Sequence, residues 1–221
     1  MLGIKWRVFS FVMILMPARL QKALDAIALV YAILFFPVPI FWLVIHSAIH
    51  FWRRFGNRSF WIAVPVWAVT GTALILLRPA IYAERGYRNT ATAILGLGLI
   101  AVGLWLGHRV HQEFGLRRLV GLPEMNPSRY SGGVVCSGIY AHVRHPRYLG
   151  LMLIFVGLAL LTGTLGNFLL AIVTVLLYQI VAPLEERELR EHYGAEYEAY
   201  ARLVPRFVPR IRRKVKPQTS F

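Results

Sequence analysis

The chain has 221 residues, of which 57% are hydrophobic and 16% are charged. Several apolar runs approach the length that crosses a hydrocarbon core, so the composition excludes a large soluble domain and predicts an integral membrane protein. The formal net charge of +15 would suggest nucleic-acid binding in a soluble protein. Here, basic loops that flank the spans and contact anionic lipid head groups explain it, so we expect membrane lipids and no nucleic acid as partners.

The N-terminal half predicts a short interfacial helix followed by three membrane spans. Residues 4–16 are apolar but too short to cross a bilayer, so we expect them to lie in its interface. In the third span, Gly103 and Gly107 are four residues apart and predict a face that another helix can approach closely. The three spans are predicted at residues 24–45, 60–77 and 91–107.

Two histidines, His46 and His50, follow the first predicted span one helical turn apart. Such a pair could bind a metal ion, but no carboxylate or third ligand is near it in the sequence. A helix end at the lipid head groups, anchored by Trp52 and the arginines beside it, explains the pattern better. We therefore predict no metal site.

The C-terminal half begins with a long polar connection and continues as an apolar hairpin. The apolar run at residues 149–183 is too long for one span, and a glycine-containing break at residues 163–167 divides it. This pattern predicts two helices, at residues 148–162 and 168–182, with Pro183 ending the second. An amphipathic helix interrupted at Gly194 is expected to follow.

The predicted fold is an all-α integral membrane protein with about five transmembrane helices, including a C-terminal helical hairpin, followed by an amphipathic cytosolic helix. We divide the chain into N-terminal membrane helices at residues 1–107 and a C-terminal core at residues 108–221. Most of the Lys and Arg residues fall on the side that holds the 108–147 connection and the C-terminal segment. The positive-inside bias makes this side cytosolic. We expect a multi-pass protein of a bacterial inner membrane rather than of the endoplasmic reticulum.

Two polar clusters lie at the two ends of the predicted hairpin, so the fold brings them to the same surface. The first cluster contains Arg144 and His145, which precede a proline suited to the first turn of a helix. Together with the free N–H groups of that turn, they predict a pocket for a polar or anionic ligand. The second cluster, Glu185-Glu186, offers carboxylates that accept hydrogen bonds from hydroxyl or ammonium groups. Tyrosine rings between them could contact an adenine or a sulfonium.

Together these residues form a long ordered pattern that resembles the isoprenylcysteine carboxyl methyltransferase-like family of integral membrane methyltransferases. Relatives of that family include phospholipid N-methyltransferases and bacterial thiol methyltransferases. The residues that carry the resemblance are Gly138, Tyr140, Arg144-His145-Pro146-Arg147-Tyr148, Gly150, Glu185-Glu186, Leu189, Gly194, Tyr197, Tyr200, Pro205-Arg206 and Pro209.

The resemblance implies a methyltransferase that binds S-adenosyl-L-methionine on the cytosolic side. Its acceptor would be a lipophilic or small molecule that enters from the bilayer and carries a carboxylate, thiol or amine. The resemblance also implies catalytic roles for Arg144 and Glu185. By carry-over from the family, the cofactor contacts are Val134, Val135, Tyr140, His145, Pro146, Arg147, Tyr148, Glu185 and Glu186.

One position departs from the family pattern. In the carboxyl methyltransferases, an arginine one turn before the glutamate pair is associated with the acceptor carboxylate, whereas this chain has Val181. A carboxylate acceptor would need Arg144, Arg202 or Arg206 as a substitute. A thiol, an amine or another lipid acceptor is therefore the stronger expectation.

Two alternatives stand beside the methyltransferase hypothesis. The chain could be a non-methyltransferase protein of the same superfamily fold, such as a reductase-like or respiratory accessory protein. It could also be a structural membrane protein whose basic clusters bind anionic lipid. In that case Arg144 and Arg147 would anchor head groups, and the helix face around Glu185 would be solvated.

Overall fold

The computed structural model describes residues 17–85, 89–119 and 133–209. The interfacial helix predicted at residues 4–16 lies outside these ranges. Short 3₁₀ turns at Gly56–Ile62 and Gly138–Ala141 connect some of the helices. Within the described residues, the α-helices are α1 (Ala18–Phe35), α2 (Pro37–Ser47), α3 (Ile49–Arg53), α4 (Ala63–Leu76), α5 (Arg78–Ala83), α6 (Thr90–Leu119), α7 (Pro146–Thr162), α8 (Leu165–Tyr193) and α9 (Ala195–Leu203).

Four helical stretches in the described part of the chain are long and apolar enough to cross a membrane, and α7 is a shorter apolar helix. These helices confirm the prediction of an all-α, multi-pass membrane protein. The first stretch contains α1 and α2, which meet at Phe36, because Pro37 begins the second helix and has no N–H to continue the first. The four stretches are Ala18–Ser47, Gly56–Leu76, Thr90–Glu113 and Leu165–Tyr193.

The second helix of the hairpin, α8, corrects the prediction that Pro183 ends it. The helix runs through this proline to Tyr193. A membrane helix tolerates an internal proline when packing and neighbouring groups compensate for the lost hydrogen bond, and the adjacent Val181 and Ala182 are fully buried. The predicted amphipathic helix therefore becomes the end of α8 and the separate α9, divided at Gly194, whose φ of 52° is left-handed.

Helices α6 and α7 pack so closely at Gly96, Gly103, Gly150 and Gly157 that these four glycines cannot carry a side chain without a shift of the neighbouring helix. A Cβ atom at Gly103 would lie 2.6 Å from the carbonyl oxygen of Gly150, and one at Gly96 would lie 2.7 Å from that of Gly157. The predicted close-approach face is thus confirmed at Gly103. It is wrong at Gly107, where an added Cβ atom would have no described atom within 4 Å. The partner of Gly103 in this face is Gly96.

We expect Gly103→Ala to destabilise the protein, because the added methyl group overpacks the contact with α7 and costs about 1–3 kcal/mol. Thermal unfolding of the detergent-purified protein measures the effect as a lower melting temperature. Gly107→Ala is the matched control on the same helix, and its melting temperature should be unchanged or higher. Equal destabilisation by both substitutions would contradict the helix contact.

At the end of the bundle opposite the C-terminus of α8, polar contacts hold the hairpin turn. The Arg85 guanidinium contacts the buried Asp25 carboxylate at 2.7 Å. The Tyr82 hydroxyl donates to the Asp25 carbonyl oxygen at 2.8 Å. At the start of α8, the N–H of Leu165 donates to the carbonyl oxygen of Glu84 at 3.0 Å. These bonds tie α1, the segment after α5 and the hairpin together.

Candidate functional site

The site begins at the 3₁₀ turn Gly138–Ala141, which the end of α6 holds in place. The N–H of Ile139 donates to the Glu113 carboxylate at 2.9 Å. Gly138 has a φ of 56°, and a Cβ atom there would clash with the same carboxylate. Only glycine fits this position without strain. The Tyr140 carbonyl oxygen accepts a hydrogen bond from the Tyr200 hydroxyl at 2.8 Å, which links the turn to α9.

The next residues pair with the segment that follows α9. The N–H of Arg144 donates to the carbonyl oxygen of Pro205 at 2.9 Å, and the N–H of His145 donates to that of Arg206 at 3.1 Å. Pro146 then begins α7, as the sequence predicts. The segment after α9 therefore fixes the backbone that carries the side chains of Arg144 and His145.

Glu186 is the centre of a buried ion cluster. Its side chain is fully buried, and Arg144 donates to its Oε1 through Nε at 3.1 Å and Nη2 at 2.9 Å. Arg206 donates to Oε1 and Oε2, both at 2.8 Å. The ring nitrogen Nε2 of His145 lies 3.1 Å from Oε1, and Nη2 of Arg190 lies 3.4 Å from Oε2. The hydrogen bonds from Arg206 to Glu186 raise the pKa of the arginine above its usual value.

Arg144 is engaged on both sides of its guanidinium. Besides its bonds to Glu186, its Nη1 donates to the carbonyl oxygens of Ala201 at 2.7 Å and Val204 at 2.6 Å. These two carbonyls end α9, where helices leave acceptors without internal partners. The side chain is 10% exposed. Arg144 therefore joins α8, α9 and the start of α7, and is not a lipid head-group anchor.

Glu185, the neighbour of Glu186, has a different environment. Its Oε2 accepts a hydrogen bond from the Tyr148 hydroxyl at 2.7 Å and lies 3.6 Å from Nδ1 of His145. Its side chain keeps 19% exposure. Among the described residues, both contacts are to Oε2, which leaves Oε1 available to a ligand. The His145 ring thus lies between the two carboxylates.

Aromatic rings form a layer beside Glu185. The rings of His145 and Tyr148 stack with centroids 5.2 Å apart, and those of Tyr148 and Tyr178 stack at 4.5 Å. The Phe207 ring lies 5.8 Å from His145. Val181 is fully buried in the apolar cluster that contains Tyr148 and Tyr178. The layer places aromatic rings next to a carboxylate, an electron-rich surrounding that attracts cations.

The structure brings five predicted site residues into direct contact: Arg144, His145, Tyr148, Glu185 and Glu186. Tyr140 and Arg147 are partly buried nearby, and Pro146 is the first residue of α7. Val134 lies beside α9, where its N–H donates to the Glu196 carboxylate at 3.2 Å. Val135 follows it and is partly buried.

Sequence reasoning missed a second buried pair, between His46 and Glu188. The His46 Nδ1 atom lies 2.7 Å from Oε1 of Glu188, with side-chain exposures of 1% and 6%. Arg53 approaches the same carboxylate at 3.6 Å, and the ring of Trp42 stacks on His46 at 5.1 Å. The helix end predicted here is confirmed at Ser47. The prediction that this helix end lies at the lipid head groups is wrong for His46, because α8 buries the His46 side chain.

The burial of Glu186 and Glu188 also excludes a solvated helix face at these two positions. No local signal in the sequence marks the pair of His46 and Glu188, because the two residues are 142 positions apart.

No group of three potential metal ligands occurs within the described ranges. His50, the second histidine, is exposed and lies 3.8 Å from Glu191.

Comparisons with known proteins point to the same region. Residues 91–196 match a family model described as phospholipid methyltransferase. Methanethiol S-methyltransferase 2 of Bradyrhizobium diazoefficiens is 37% identical over 73 residues, which are 33% of this chain and 27% of the relative. Methanethiol S-methyltransferase of Pseudomonas deceptionensis is 31% identical over 120 residues, 54% of this chain and 44% of the relative.

A third relative, protein-S-isoprenylcysteine O-methyltransferase of Schizosaccharomyces pombe, is 37% identical over 86 residues, 35% of this chain and 34% of the relative. The chain thus spans less than half the length of these relatives. No solved structure gives a significant match. The matches confirm the predicted resemblance to the membrane methyltransferases, and the activity named for these relatives implies a methyl donor.

Proposed function

We propose that this chain, a relative of the phospholipid and isoprenylcysteine methyltransferases of membranes, transfers a methyl group from S-adenosyl-L-methionine to a thiol. The observation that carries the proposal is the unequal environment of two adjacent glutamates. Glu186 is buried among cations, whereas Glu185 keeps a partly exposed carboxylate beside stacked aromatic rings. A carboxylate and ring faces suit a ligand that is itself cationic.

The residues at the site fit S-adenosyl-L-methionine. Oε1 of Glu185 is available to an ammonium or a ribose hydroxyl, and the stacked rings of Tyr148 and His145 lie beside that carboxylate, where a sulfonium or an adenine would pack next to them. When bound, the cofactor supplies a methyl group on a positively charged sulfur. Its transfer to a thiol yields two neutral thioethers and releases the thiol proton to water. The further contacts proposed from the family resemblance are Val134, Val135, Tyr140, Pro146 and Arg147.

The protein's part in the reaction is mainly to orient the two reactants and to exclude water. Glu185 holds the Tyr148 hydroxyl, and Glu186 holds one ring nitrogen of His145, so both rings have fixed orientations. Because Arg144 and Glu186 use their polar atoms on each other and on the backbone, we propose that they position the site without contacting the cofactor. The ligand-contacting role then falls to Glu185.

A thiol acceptor agrees best with the charges around the site. Val181 is fully buried where a carboxylate acceptor would need a cation. Two of the three possible substitutes, Arg144 and Arg206, donate to Glu186, and the third, Arg202, lies on the exposed face of α9. A thiol needs no such cation. The relatives named methanethiol S-methyltransferase support this choice.

We place the site on the cytosolic side of a bacterial inner membrane. The C-terminal end of α8 carries it, on the side where the basic residues are concentrated. We also propose that residues 108–221 form the methyltransferase core and residues 1–107 its membrane support. The start of that core lies within α6, which is continuous from Thr90 to Leu119.

The proposal is tested by cofactor binding to the full chain in lipid nanodiscs. We expect micromolar binding of S-adenosyl-L-methionine by calorimetry, and about 30-fold weaker binding or worse for Glu185→Gln, because the substitution removes the charge opposite a cation. The amide oxygen can still accept from Tyr148, so the fold is retained. Glu191→Gln, which changes an exposed acid on the same helix, is the matched control and should bind normally.

Transfer of a labelled methyl group to methanethiol, phosphatidylethanolamine and an S-isoprenylated cysteine then identifies the acceptor class. We expect label on the thiol. Transfer only to the amine or the carboxylate would overturn the thiol assignment and leave the enzyme class standing. A folded wild-type protein that binds no S-adenosyl-L-methionine would overturn the enzyme class itself.

A further inference from the structure

The hydroxyl of Tyr178 is buried in α8 without a hydrogen-bond partner among the described residues. The residue is fully buried. A buried hydroxyl that makes no hydrogen bond destabilises the protein that carries it, whereas phenylalanine would fill the same space at no such cost. The tyrosine therefore needs an explanation outside the stability of the ligand-free fold.

Tyr178 lies at the proposed site. Its ring stacks on that of Tyr148 with centroids 4.5 Å apart, and the Tyr148 hydroxyl bonds to Glu185. Because Tyr178 precedes Glu185 by about two helical turns, it lies about 10 Å further along α8, toward the membrane interior.

The surroundings of Tyr178 are apolar. It belongs to a buried cluster with side chains from α2, α7 and α8, among them Trp42, Ile45, Met152 and Val181. The carbon side chains of Ile45 and Val181 can neither accept nor donate the missing hydrogen bond, and no hydrogen bond joins the Tyr178 hydroxyl to Trp42 or Met152 in the described structure. A ligand atom that arrives from the membrane side of the cofactor site would be able to do so.

We propose that the Tyr178 hydroxyl donates a hydrogen bond to the reacting sulfur of the thiol acceptor and thereby determines acceptor specificity. This inference rests on the proposed function. The hydroxyl is a polar group on the membrane side of the Glu185 carboxylate, and it belongs to an otherwise apolar cluster. It would orient the small polar end of an otherwise apolar acceptor and select against molecules that lack a hydrogen-bonding atom there.

The test is Tyr178→Phe in the full chain, with three measurements. The melting temperature without ligand should be unchanged or about 2–4 °C higher, because the substitution removes an unsatisfied hydroxyl. The kcat/KM for methanethiol should fall about 3- to 10-fold, the size expected for one neutral hydrogen bond. The dissociation constant of S-adenosyl-L-methionine should be unchanged.

Tyr31→Phe is the matched control. Tyr31 also has a buried hydroxyl without a partner in the described structure, but its ring packs edge-on against Phe155, with centroids 5.2 Å apart, and it has no ring contact with Tyr148 among the described aromatic pairs. We expect the same small effect on the melting temperature and no change in kcat/KM for methanethiol. A fall in kcat/KM that is confined to Tyr178→Phe is thereby distinguished from the effect of removing any buried hydroxyl.

Two results would overturn the inference alone. A clear fall in the melting temperature of Tyr178→Phe would show that the protein itself satisfies the hydroxyl. An unchanged kcat/KM for methanethiol, with active wild type, would show that the acceptor does not contact it. Absence of methyl transfer by the wild-type protein would overturn the proposed function and this inference together.

Discussion

Glu186→Ala is expected to lower the free energy of unfolding by about 3–5 kcal/mol, the effect of removing one partner from a buried ion pair. The substitution leaves Arg144, which is 10% exposed, without its carboxylate, and it removes the bonds to Arg206 and His145. Cofactor binding should be lost as well, because these bonds hold His145 beside Glu185. Chemical or thermal unfolding in detergent and calorimetry measure the two effects.

Two variants define the controls for this prediction. Glu186→Gln keeps the shape of the side chain and two polar atoms but not the charge. We therefore expect its free energy of unfolding to lie between those of Glu186→Ala and the wild type. Glu191→Ala removes an exposed acid from the same helix, and its effect should stay within about 0.5 kcal/mol. If Glu186→Ala unfolds like the wild type, the buried cluster does not hold the site together.

Glu188→Ala is expected to cost about 1.5–3 kcal/mol, the range for a hydrogen bond to a charged group. The pair of Glu188 and His46 joins α8 to α2, so its loss should also move the Glu185 end of α8 and weaken binding of S-adenosyl-L-methionine. The N-terminal helices, outside the matched residues 91–196, would then contribute to the site by positioning it. Unfolding and cofactor titration of the same preparation check both effects.

A double-mutant cycle separates the pair from unrelated packing losses. His46→Ala, Glu188→Ala and the double variant should show a coupling of about 1 kcal/mol or more, since the two side chains are in contact. His46→Gln keeps a donor and should restore part of the cofactor affinity that His46→Ala loses. Additive effects, or no rescue by glutamine, would argue against a positioning role.

The meeting of Arg144 with Glu186 could be predicted from the sequence, because a helical hairpin returns its two ends to the same surface. The different roles of Glu185 and Glu186 could not. Successive residues on a helix point about 100° apart, and which direction faces the cations depends on packing against other elements. A sequence pattern marks both glutamates alike, whereas the fold buries one and leaves the other partly open.

Two further features depend on tertiary contacts that have no local signal. Pro183 is a strong helix terminator in water, and the sequence does not show that neighbouring helices compensate for it in α8. His46 and Glu188 carry ordinary local contexts, a helix end and a run of mixed charges. Only the packing of α2 against α8 makes a buried pair of them.

The bonds from Arg144 and His145 to Pro205 and Arg206 also set the order in which the protein is completed during synthesis. Because synthesis runs from the N-terminus to the C-terminus, the hairpin leaves the ribosome before residue 206 does. Until then Glu186 lacks one of its cations, and the backbone before α7 lacks its partners. The site therefore closes only after residue 206 has been made, and a nascent chain stalled before this segment should form its helices without closing the proposed donor site.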